Sequence, residues 1–325
     1  MNNYISVVIP TSGRSAFLED ALESITKQSL NNDLFEVIVV ENGSKDMTED
    51  VVKNFQTKIP HLSYLYEKRP GLHHGRHAGY RAAKGDILVY ADDDIIAFPT
   101  WLEGVYESFQ DKDVVLVGGK DLPKYEGSVP FWVLEKWYQM YNKGHRMTDL
   151  SLIDLGNEIQ EIPAFDVFGC NYAIRKTILD ETRGFHPDGM PFSQIQYRGD
   201  GEWYVNTFIS DKGYKVLYNP KASVYHRVPA SRLTLDYFKK RAFCEGVELS
   251  YDEKRYNITT IATPIVPKNI LQKIKLRVKE LIRLARMSDI EKEILKSRRI
   301  GYEYHQYMYE HNEELRNWVH KECYM

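Results

Sequence analysis

Cysteine is scarce in this chain of 325 residues, which contains only three. Cys170, Cys244 and Cys323 lie far apart, form no CxxC pair and are odd in number. This pattern indicates neither a disulfide framework nor a zinc site. We therefore expect a reducing, cytoplasmic setting, because free cysteines are typical of intracellular proteins.

Long apolar segments and a strong charge imbalance are lacking as well. No apolar run approaches the roughly 20 residues that a membrane-spanning helix needs. The N-terminal residues lead directly into a predicted strand, so we expect no signal peptide. The formal net charge is only −3, which gives no reason to expect a nucleic-acid partner.

The common glycine motifs for nucleotide binding are also missing. No GxGxxG follows the first predicted strand, and no GKS or GKT indicates a P-loop. A phosphate-bearing ligand would have to be held in another way. Aspartates with a bound divalent cation are one such way, because Mg²⁺ and Mn²⁺ prefer oxygen ligands.

What the chain does contain is a regular alternation of apolar strands and amphipathic helices over its first 119 residues. The predicted strands are 5–10, 35–40, 62–66, 86–90 and 114–119. Strands that alternate with helices form parallel sheets covered on both faces. The sequence therefore predicts an α/β fold with a Rossmann-like, mostly parallel sheet flanked by helices.

Polar side chains collect where these strands end. They are Thr11 and Arg14 after the first strand, Glu41 and Asn42 after the second, and Asp92, Asp93 and Asp94 after the fourth. Ligands of such sheets bind at the carboxyl ends of the strands. Three adjacent carboxylates repel one another, and a bound divalent cation would remove that repulsion. A solvated turn or a helix cap explains the aspartates alone, but explains the whole set poorly.

Five segments of the chain resemble, in order, the motifs of family 2 glycosyltransferases. They are "SVVIPTSGRS", "VIVVENGSKD", "GRHAGYRAAKGDILVYADDD", "FGCNYAIRK" and "RGDGEWYVNTFISDKGYKVLYNP". Members of this family are inverting enzymes of the GT-A fold that use nucleotide sugars. The resemblance implies a catalytic domain over 1–230, with a nucleotide-sugar half at 1–119 and an acceptor half at 120–230.

The resemblance also implies roles for the residues at the strand ends. Thr11, Arg14, Glu41 and Asn42 would line the pocket for the base and ribose, although aspartate is commoner than glutamate at the position of Glu41. Arg76 lies in "GRH", where the family has "ARN", and would contact the nucleotide.

The aspartates match the DxD motif of the family. Asp92 and Asp94 are its outer carboxylates, and Asp94 would be the principal ligand of Mn²⁺ or Mg²⁺. Asp93, or Asp92, would hold the ribose hydroxyls instead. A metal held here would stabilise the charge that develops on the departing nucleoside diphosphate.

The resemblance places the acceptor side in the second half of the chain. Gly169 and Asn171 lie in a segment similar to "GGNxAFRR", and Glu202 and Trp203 lie in "RGDGEWYV". Asp200 corresponds to the aspartate of the family's Glu-Asp pair and would be the general base. The alternative is that Asp200 only caps the following helix.

His226 follows a late strand, in "VYH". Some relatives of this fold use such a histidine as a third metal ligand, whereas a lone histidine is more often structural, and both interpretations stay open. The aromatic residues of 132–147 likewise fit either stacking on sugar rings or the buried face of a local helix.

Residues 231–325 fall outside the motif set and are predicted to form a C-terminal helical region. Within it, 268–286 is amphipathic and rich in lysine and arginine. Such a helix could contact the inner face of the cell membrane peripherally. It could equally pack on the catalytic domain or on a second subunit, which would make the protein a homo-oligomer.

The sequence therefore predicts a metal-dependent glycosyltransferase that works on a nucleoside-diphosphate sugar, with a UDP-sugar favoured. The acceptor would be a saccharide or lipid-linked saccharide, in the synthesis of a surface polysaccharide. The first alternative is a sugar nucleotidyltransferase, although "PTSGRS" lacks the expected glycine-rich loop. The second is an inactive carbohydrate-binding or scaffold protein.

Overall fold

The computed structural model describes residues 3–257 and 287–325, so the predicted amphipathic stretch 268–286 lies outside the described residues. The contacts divide the chain into two compact units. The first comprises Met1–Gly189, Gly201–Ala230 and Cys323–Met325, and the second comprises Met190–Asp200 and Ser231–Glu322. Among the described residues, no helix combines the length and the apolar character that a membrane crossing requires.

The first unit contains the strands and most of the shorter helices. The strands are β1 (Ile5–Thr11), β2 (Phe35–Asn42), β3 (Leu62–Glu67), β4 (Ile87–Ala91), β5 (Ile95–Ala97), β6 (Val114–Gly118), β7 (Asp121–Glu126), β8 (Met140–Tyr141), β9 (Gly144–Met147), β10 (Leu152–Asp154), β11 (Gln160–Glu161), β12 (Asn171–Arg175), β13 (Lys215–Tyr218) and β14 (Val224–Pro229). Its helices are α1 (Ser15–Ile25), α2 (Thr48–Phe55), α3 (Leu72–Ala82), α4 (Trp101–Ser108), α5 (Phe131–Trp137), α6 (Lys176–Thr182) and α7 (Glu202–Asp211).

An eight-stranded sheet forms the centre of the first unit, in the order β11-β13-β6-β12-β4-β1-β2-β3. The strands β4, β1, β2 and β3 are parallel neighbours, and β12 inserts antiparallel between β4 and β6. Every residue of β1, β2 and β4 is buried, as expected for strands covered by helices on both faces. The predicted α/β fold with a Rossmann-like sheet is confirmed.

A second sheet of six strands runs in the order β5-β14-β7-β10-β9-β8. In it, β14 pairs antiparallel with β5, which places His226 opposite Ile95. Because Ile95 directly follows Asp94, this pairing brings the late histidine to the end of β4. The aromatic segment 132–147 forms α5 and the hairpin β8–β9, with Trp137 buried and Tyr138 exposed.

The second unit is built from helices. They are α8 (Leu235–Tyr256), α9 (Asp289–His311) and α10 (Glu313–Val319). Helices α8 and α9 approach closely at Gly246 and Gly301, where an added Cβ would come within 1.9 Å and 2.0 Å of the facing backbone carbonyls. A hydrogen bond of 2.7 Å between Ser250 and His305 lies in the same contact.

The last three residues of the chain belong to the first unit. Tyr324 is 2% exposed, and its ring meets His186 and His73 edge-on at centroid distances of 5.3 Å and 6.4 Å. The tail therefore packs against α3, the helix that carries Arg76.

Candidate active site

The turn between β4 and β5 carries the three aspartates, and the end of β1 lies beside it. The Thr11 hydroxyl donates a 2.5 Å hydrogen bond to Oδ2 of Asp93. Arg14 reaches Oδ1 of Asp93 at 2.5 Å and Oδ2 of Asp94 at 3.0 Å. The structure thus brings together Thr11, Arg14 and the aspartates, as their positions at the strand ends predict.

Burial raises the pKa of Asp93 to about 7, although Arg14 opposes the shift. Burial also raises the pKa of Asp92, and the nearby charge of Asp94 adds to the effect. For Arg14, burial alone would lower the pKa, but Asp93 and Asp94 reverse this and raise it. The cluster therefore holds more carboxylate charge than Arg14 compensates.

His226 faces the same cluster from β14. Its Nδ1 lies 2.9 Å from the Leu150 carbonyl oxygen, and its Nε2 lies 3.2 Å from Oδ1 of Asp94. A carbonyl oxygen can only accept a hydrogen bond, so Nδ1 must carry the proton. In the neutral ring, Nε2 then presents a lone pair to a carboxylate oxygen. This arrangement requires a cation between them, either a proton or a metal ion.

Asp92, Asp94 and His226 fit a divalent metal. One ligand atom from each lies within 4.8 Å of the others. Two carboxylates and one imidazole form a donor set suited to Mn²⁺, and the carboxylates suit Mg²⁺. The contact of Nδ1 with a backbone carbonyl is the kind of interaction that orients a metal-binding histidine.

Glu41 and Asn42 are the last two residues of β2, which extends beyond its predicted end, and both are buried. Glu41 accepts hydrogen bonds from the Asp46 amide at 2.6 Å and the Tyr64 hydroxyl at 2.5 Å. The amide of Asn42 donates to the Arg69 carbonyl at 2.6 Å. These contacts fix the loops beside β2, and a direct contact of either side chain with a nucleotide stays a prediction.

Arg76 joins residues that the sequence assigns to different halves of the site. Its guanidinium is 3% exposed, lies 3.0 Å from Glu202 and donates to the Gly169 carbonyl at 3.3 Å. Burial would lower the pKa of Arg76, but Glu202 raises it. A Cβ at Gly169 would lie 2.3 Å from Nη2 of Arg76 and 2.8 Å from Oε1 of Glu202, so a larger residue there would displace this ion pair.

Trp203 and Asn171, both predicted to contact the acceptor, occupy different surroundings. Trp203 is 51% exposed and packs on Phe165 with a centroid distance of 4.2 Å. Asn171 is buried, and its amide bonds to the Trp101 indole and Asp121 at 2.9 Å and to the Ala222 carbonyl at 3.0 Å. Trp203 is exposed to solvent, whereas the contacts of Asn171 are those of a core residue, and a contact of either with an acceptor stays a prediction.

Asp200 lies in the second unit and is 9% exposed. Its Oδ2 accepts a 3.0 Å hydrogen bond from the Tyr256 hydroxyl. Gly201, rather than Asp200, occupies the N-cap position of α7. This position does not favour the alternative in which Asp200 only caps that helix.

Three polar residues beside these sites were not predicted from the sequence. Asp121, at the start of β7, is buried, and burial raises its pKa to about 8. Asp252 and Tyr256 lie on α8 and contact Asp200. None of the three belongs to a recognisable motif, although the four-residue spacing of Asp252 and Tyr256 places them on one face of a helix.

Comparison with known proteins gives a consistent result. Residues 6–182 match the family model described as Glycosyl transferase family 2. Glycosyltransferase AglE of Haloferax volcanii is 32% identical over 117 residues, which cover 36% of this chain and 38% of AglE. Glucosyl-dolichyl phosphate glucuronosyltransferase of the same organism is 21% identical over 245 residues, covering 74% of this chain and 75% of the relative.

Solved structures show the same fold. The mannosyltransferase PcManGT from Pyrobaculum calidifontis, in complex with GDP-Man and Mn²⁺, has a TM-score of 0.54 and 17% identity, covering 97% of this chain and 84% of its own. TarS 1–349 from S. aureus, in complex with UDP-GlcNAc, has a TM-score of 0.50 and 13% identity, covering 95% and 92%.

Proposed function

The chain belongs to glycosyl transferase family 2, and we propose that it transfers a sugar from a nucleoside-diphosphate sugar to a hydroxyl group with inversion of configuration. We propose further that the transfer depends on Mn²⁺ or Mg²⁺. The observation that carries this proposal is the convergence of Asp92, Asp94 and His226 at the end of β4. The matched family is one of glycosyl transferases, which favours this proposal over the alternatives of a sugar nucleotidyltransferase and an inactive scaffold.

In this proposal, Asp94, Asp92 and His226 hold the metal ion. A bound Mn²⁺ or Mg²⁺ would supply positive charge that stabilises the diphosphate leaving group. Arg14 holds Asp94 through Oδ2 and leaves Oδ1 on the side of His226. The chain thereby fixes the carboxylate before a ligand arrives, and preorganised charges of this kind cost no rearrangement during reaction.

Asp200 serves as the general base. The acceptor oxygen forms its bond to the anomeric carbon while the bond from that carbon to the diphosphate breaks. The proton of the acceptor hydroxyl passes to Asp200, and the nucleoside diphosphate leaves with the electron pair. A single displacement of this kind needs one base and inverts the anomeric centre, whereas retention by double displacement needs a second carboxylate.

The donor half is proposed to be 1–119 and the acceptor half 120–230. Thr11, Arg14, Glu41, Asn42 and Arg76 belong to the first half, in which Asp93, held by Thr11 and Arg14, would face the ribose. We favour a UDP-sugar as donor. On the acceptor side, exposed Trp203 offers an aromatic face to a sugar ring, and Glu202 and Gly169 hold the adjoining Arg76.

The acceptor is proposed to be a saccharide or a lipid-linked saccharide that serves surface polysaccharide synthesis. One relative is named for a glucosyl-dolichyl phosphate, which supports a lipid-linked acceptor. Such an acceptor would place the enzyme in the cytoplasm or on the inner face of the membrane, with 268–286 as the proposed contact. A homo-oligomer is the alternative use of that stretch.

Binding of nucleoside diphosphates to the purified chain tests the donor and metal assignments. We expect UDP or GDP to raise the melting temperature in the presence of Mn²⁺ and to lose this effect in EDTA. Asp94→Asn should abolish the metal-dependent part, and Asp50→Asn, which changes an exposed acid on α2, should not. An equal shift in EDTA, or an unchanged shift in Asp94→Asn, would remove the metal from the proposal.

Product analysis tests the reaction itself. We expect GDP-mannose or UDP-N-acetylglucosamine, chosen because proteins of this fold bind them, to release GDP or UDP in the presence of Mn²⁺. Release of pyrophosphate instead would assign the chain to the nucleotidyltransferases. Asp200→Asn should lower turnover by roughly 10²–10⁴ while leaving nucleotide binding intact.

A further inference from the structure

Helix α8 presents one face to the segment that carries Asp200. Glu248, Asp252 and Tyr256 recur every four residues, so their side chains lie above one another on that face. Glu248 accepts from Nε of Arg198 at 2.5 Å, and Tyr256 donates to Oδ2 of Asp200 at 3.0 Å. All of these residues lie within the second unit.

The backbone of the segment is pressed against the same helix. A Cβ at Gly199 would lie 2.8 Å from Cζ of Tyr251, so the chain passes directly over that ring. Tyr251 is fully buried. The position of Asp200 is therefore set by α8 through contacts at each of the three residues 198–200.

Asp252 lies between Glu248 and Tyr256 on the same face of α8, and its carboxyl group interacts with that of Asp200. Two carboxyl groups in hydrogen-bond contact cannot both be ionised without strong repulsion, so the pair shares a proton. Burial, reinforced by the charges of Asp200 and Glu248, raises the pKa of Asp252 to about 9. With the shared proton on Asp252, the O–H of Asp252 donates to the carboxylate of Asp200.

The surrounding charges agree with this assignment. Glu248 disfavours ionisation of Asp252, and Arg255 favours it. The Arg255 guanidinium, however, donates to the backbone carbonyls of Val319 and Lys321 at 2.5 Å and 3.0 Å. These contacts hold the guanidinium near the end of α10. Its effect of lowering the pKa of Asp252 is smaller than the combined raising effects of burial, Asp200 and Glu248.

We propose that Asp252 and Tyr256 are positioning residues for the reaction, because their two O–H groups hold the carboxylate of Asp200 ready to receive the proton of the acceptor hydroxyl. This inference rests on the proposed function, in which Asp200 is the base. A carboxylate has about four lone-pair sites, so two donors leave room for the acceptor hydroxyl. Without them the carboxylate could rotate, and small misplacements of reacting groups are costly.

Turnover of variants tests the positioning. Hydrolysis of GDP-mannose and UDP-N-acetylglucosamine with Mn²⁺ is a suitable assay, because water replaces the acceptor and loses its proton to the same base. Asp252→Leu and Tyr256→Phe should each lower kcat by on the order of 10-fold to 100-fold with KM for the donor nearly unchanged. Asp252→Asn should stay close to wild type, because its amide still donates to Asp200.

A matched control separates positioning from a general loss of packing. The Tyr302 hydroxyl donates to Glu253 at 2.6 Å, a tyrosine–carboxylate hydrogen bond of the same kind in the same unit. Tyr302→Phe should leave kcat unchanged, and melting temperatures should show that all variants fold. If Tyr302→Phe lowers kcat as much as Tyr256→Phe, the effect is structural and the inference is wrong.

The shared proton can be measured without any substrate. In protein labelled with ¹³C at the aspartate carboxyl carbons, one signal should titrate near pH 9 and disappear in Asp252→Asn. The same signal should move to lower pH in Asp200→Asn, because the neighbouring charge is gone. If Asp252→Asn removes no signal that titrates above pH 8, the shared proton does not exist.

The turnover of these variants distinguishes a wrong assignment of Asp200 as the base from a wrong assignment of Asp252 and Tyr256 as positioning residues. Wild-type turnover in Asp200→Asn would overturn both the base assignment and the inference built on it. Loss of turnover in Asp200→Asn together with unchanged kcat in Asp252→Leu and Tyr256→Phe would overturn the inference alone and leave the proposed function standing.

Discussion

Glu202→Gln is expected to cost the first unit more stability than Arg76→Met, although the two residues form one ion pair. Arg76 is 3% exposed and Glu202 is 26% exposed. Loss of the glutamate charge leaves a buried guanidinium without its hydrogen-bonded countercharge, and only the charges of Asp188 and Asp92 still act on it. Loss of the arginine leaves a carboxylate that water can still reach, and methionine fills most of the vacated space.

The magnitudes follow from this asymmetry. Removing one partner of a fully buried pair typically costs about 3–5 kcal/mol. Because Glu202 is partly solvated and the Gly169 carbonyl still accepts from Arg76, we expect about 2–3 kcal/mol for Glu202→Gln. Arg76→Met should cost about 1 kcal/mol, since the remaining carboxylate is near water. In a domain of this size, each kcal/mol lowers the melting temperature by about 2–4 °C.

Thermal and urea unfolding of both single variants and the double variant measures these terms. The double variant should be less destabilised than the sum of the singles, because its second substitution removes a charge that the first left unpaired. A larger loss for Arg76→Met than for Glu202→Gln would refute the asymmetry. Unchanged stability together with lost nucleotide binding would show instead that the Arg76 charge serves the ligand.

Three further outcomes are expected. Mn²⁺ at 100 times its dissociation constant should stabilise the wild type by about 2.7 kcal/mol, an effect that His226→Gln should lose and Asp50→Asn should keep in thermal unfolding. Tyr324→Ala should destabilise the first unit by about 3 kcal/mol in urea, because a nearly fully buried ring is removed. Burial raises the pKa of Asp121 in the folded protein to about 8, whereas its value in the unfolded chain is near 4. The stabilisation that comes from this difference is fully present below about pH 4, and it is lost as the pH rises to about 8. The stability of Asp121→Asn relative to wild type, measured in EDTA, should therefore rise between about pH 4 and pH 8 and then stay level.

Much of the fold could be predicted from the sequence because its strands are short, apolar and regularly separated. β1, β2 and β4 are buried along their whole length, and short apolar runs of this kind are typical of sheet strands covered on both faces. The antiparallel insertion of β12 was not predicted, because strand direction depends on the connection and not on composition.

The position of a candidate site at the strand ends could also be predicted, but most of its contacts could not. Thr11 and the aspartates meet because parallel strands end at one edge. The sequence does not indicate which partner a buried side-chain amide bonds to. The hydrogen bonds of Asn171 with Trp101 and Asp121 could therefore not be predicted. The contact of Asp252 with Asp200 joins residues 52 positions apart.

The three adjacent aspartates are tolerated because their charges are distributed over different partners. Asp93 is held by Thr11 and Arg14, and Asp94 divides its two oxygens between Arg14 and His226. One arginine cannot compensate two buried carboxylates and a third beside them. The side of the cluster that Arg14 leaves open is the side where Oδ1 of Asp94 faces Nε2 of His226. A cation bound there would relieve the carboxylate repulsion and would also be shared by Oδ1 of Asp94 and Nε2 of a neutral His226, which a solvated turn would not achieve.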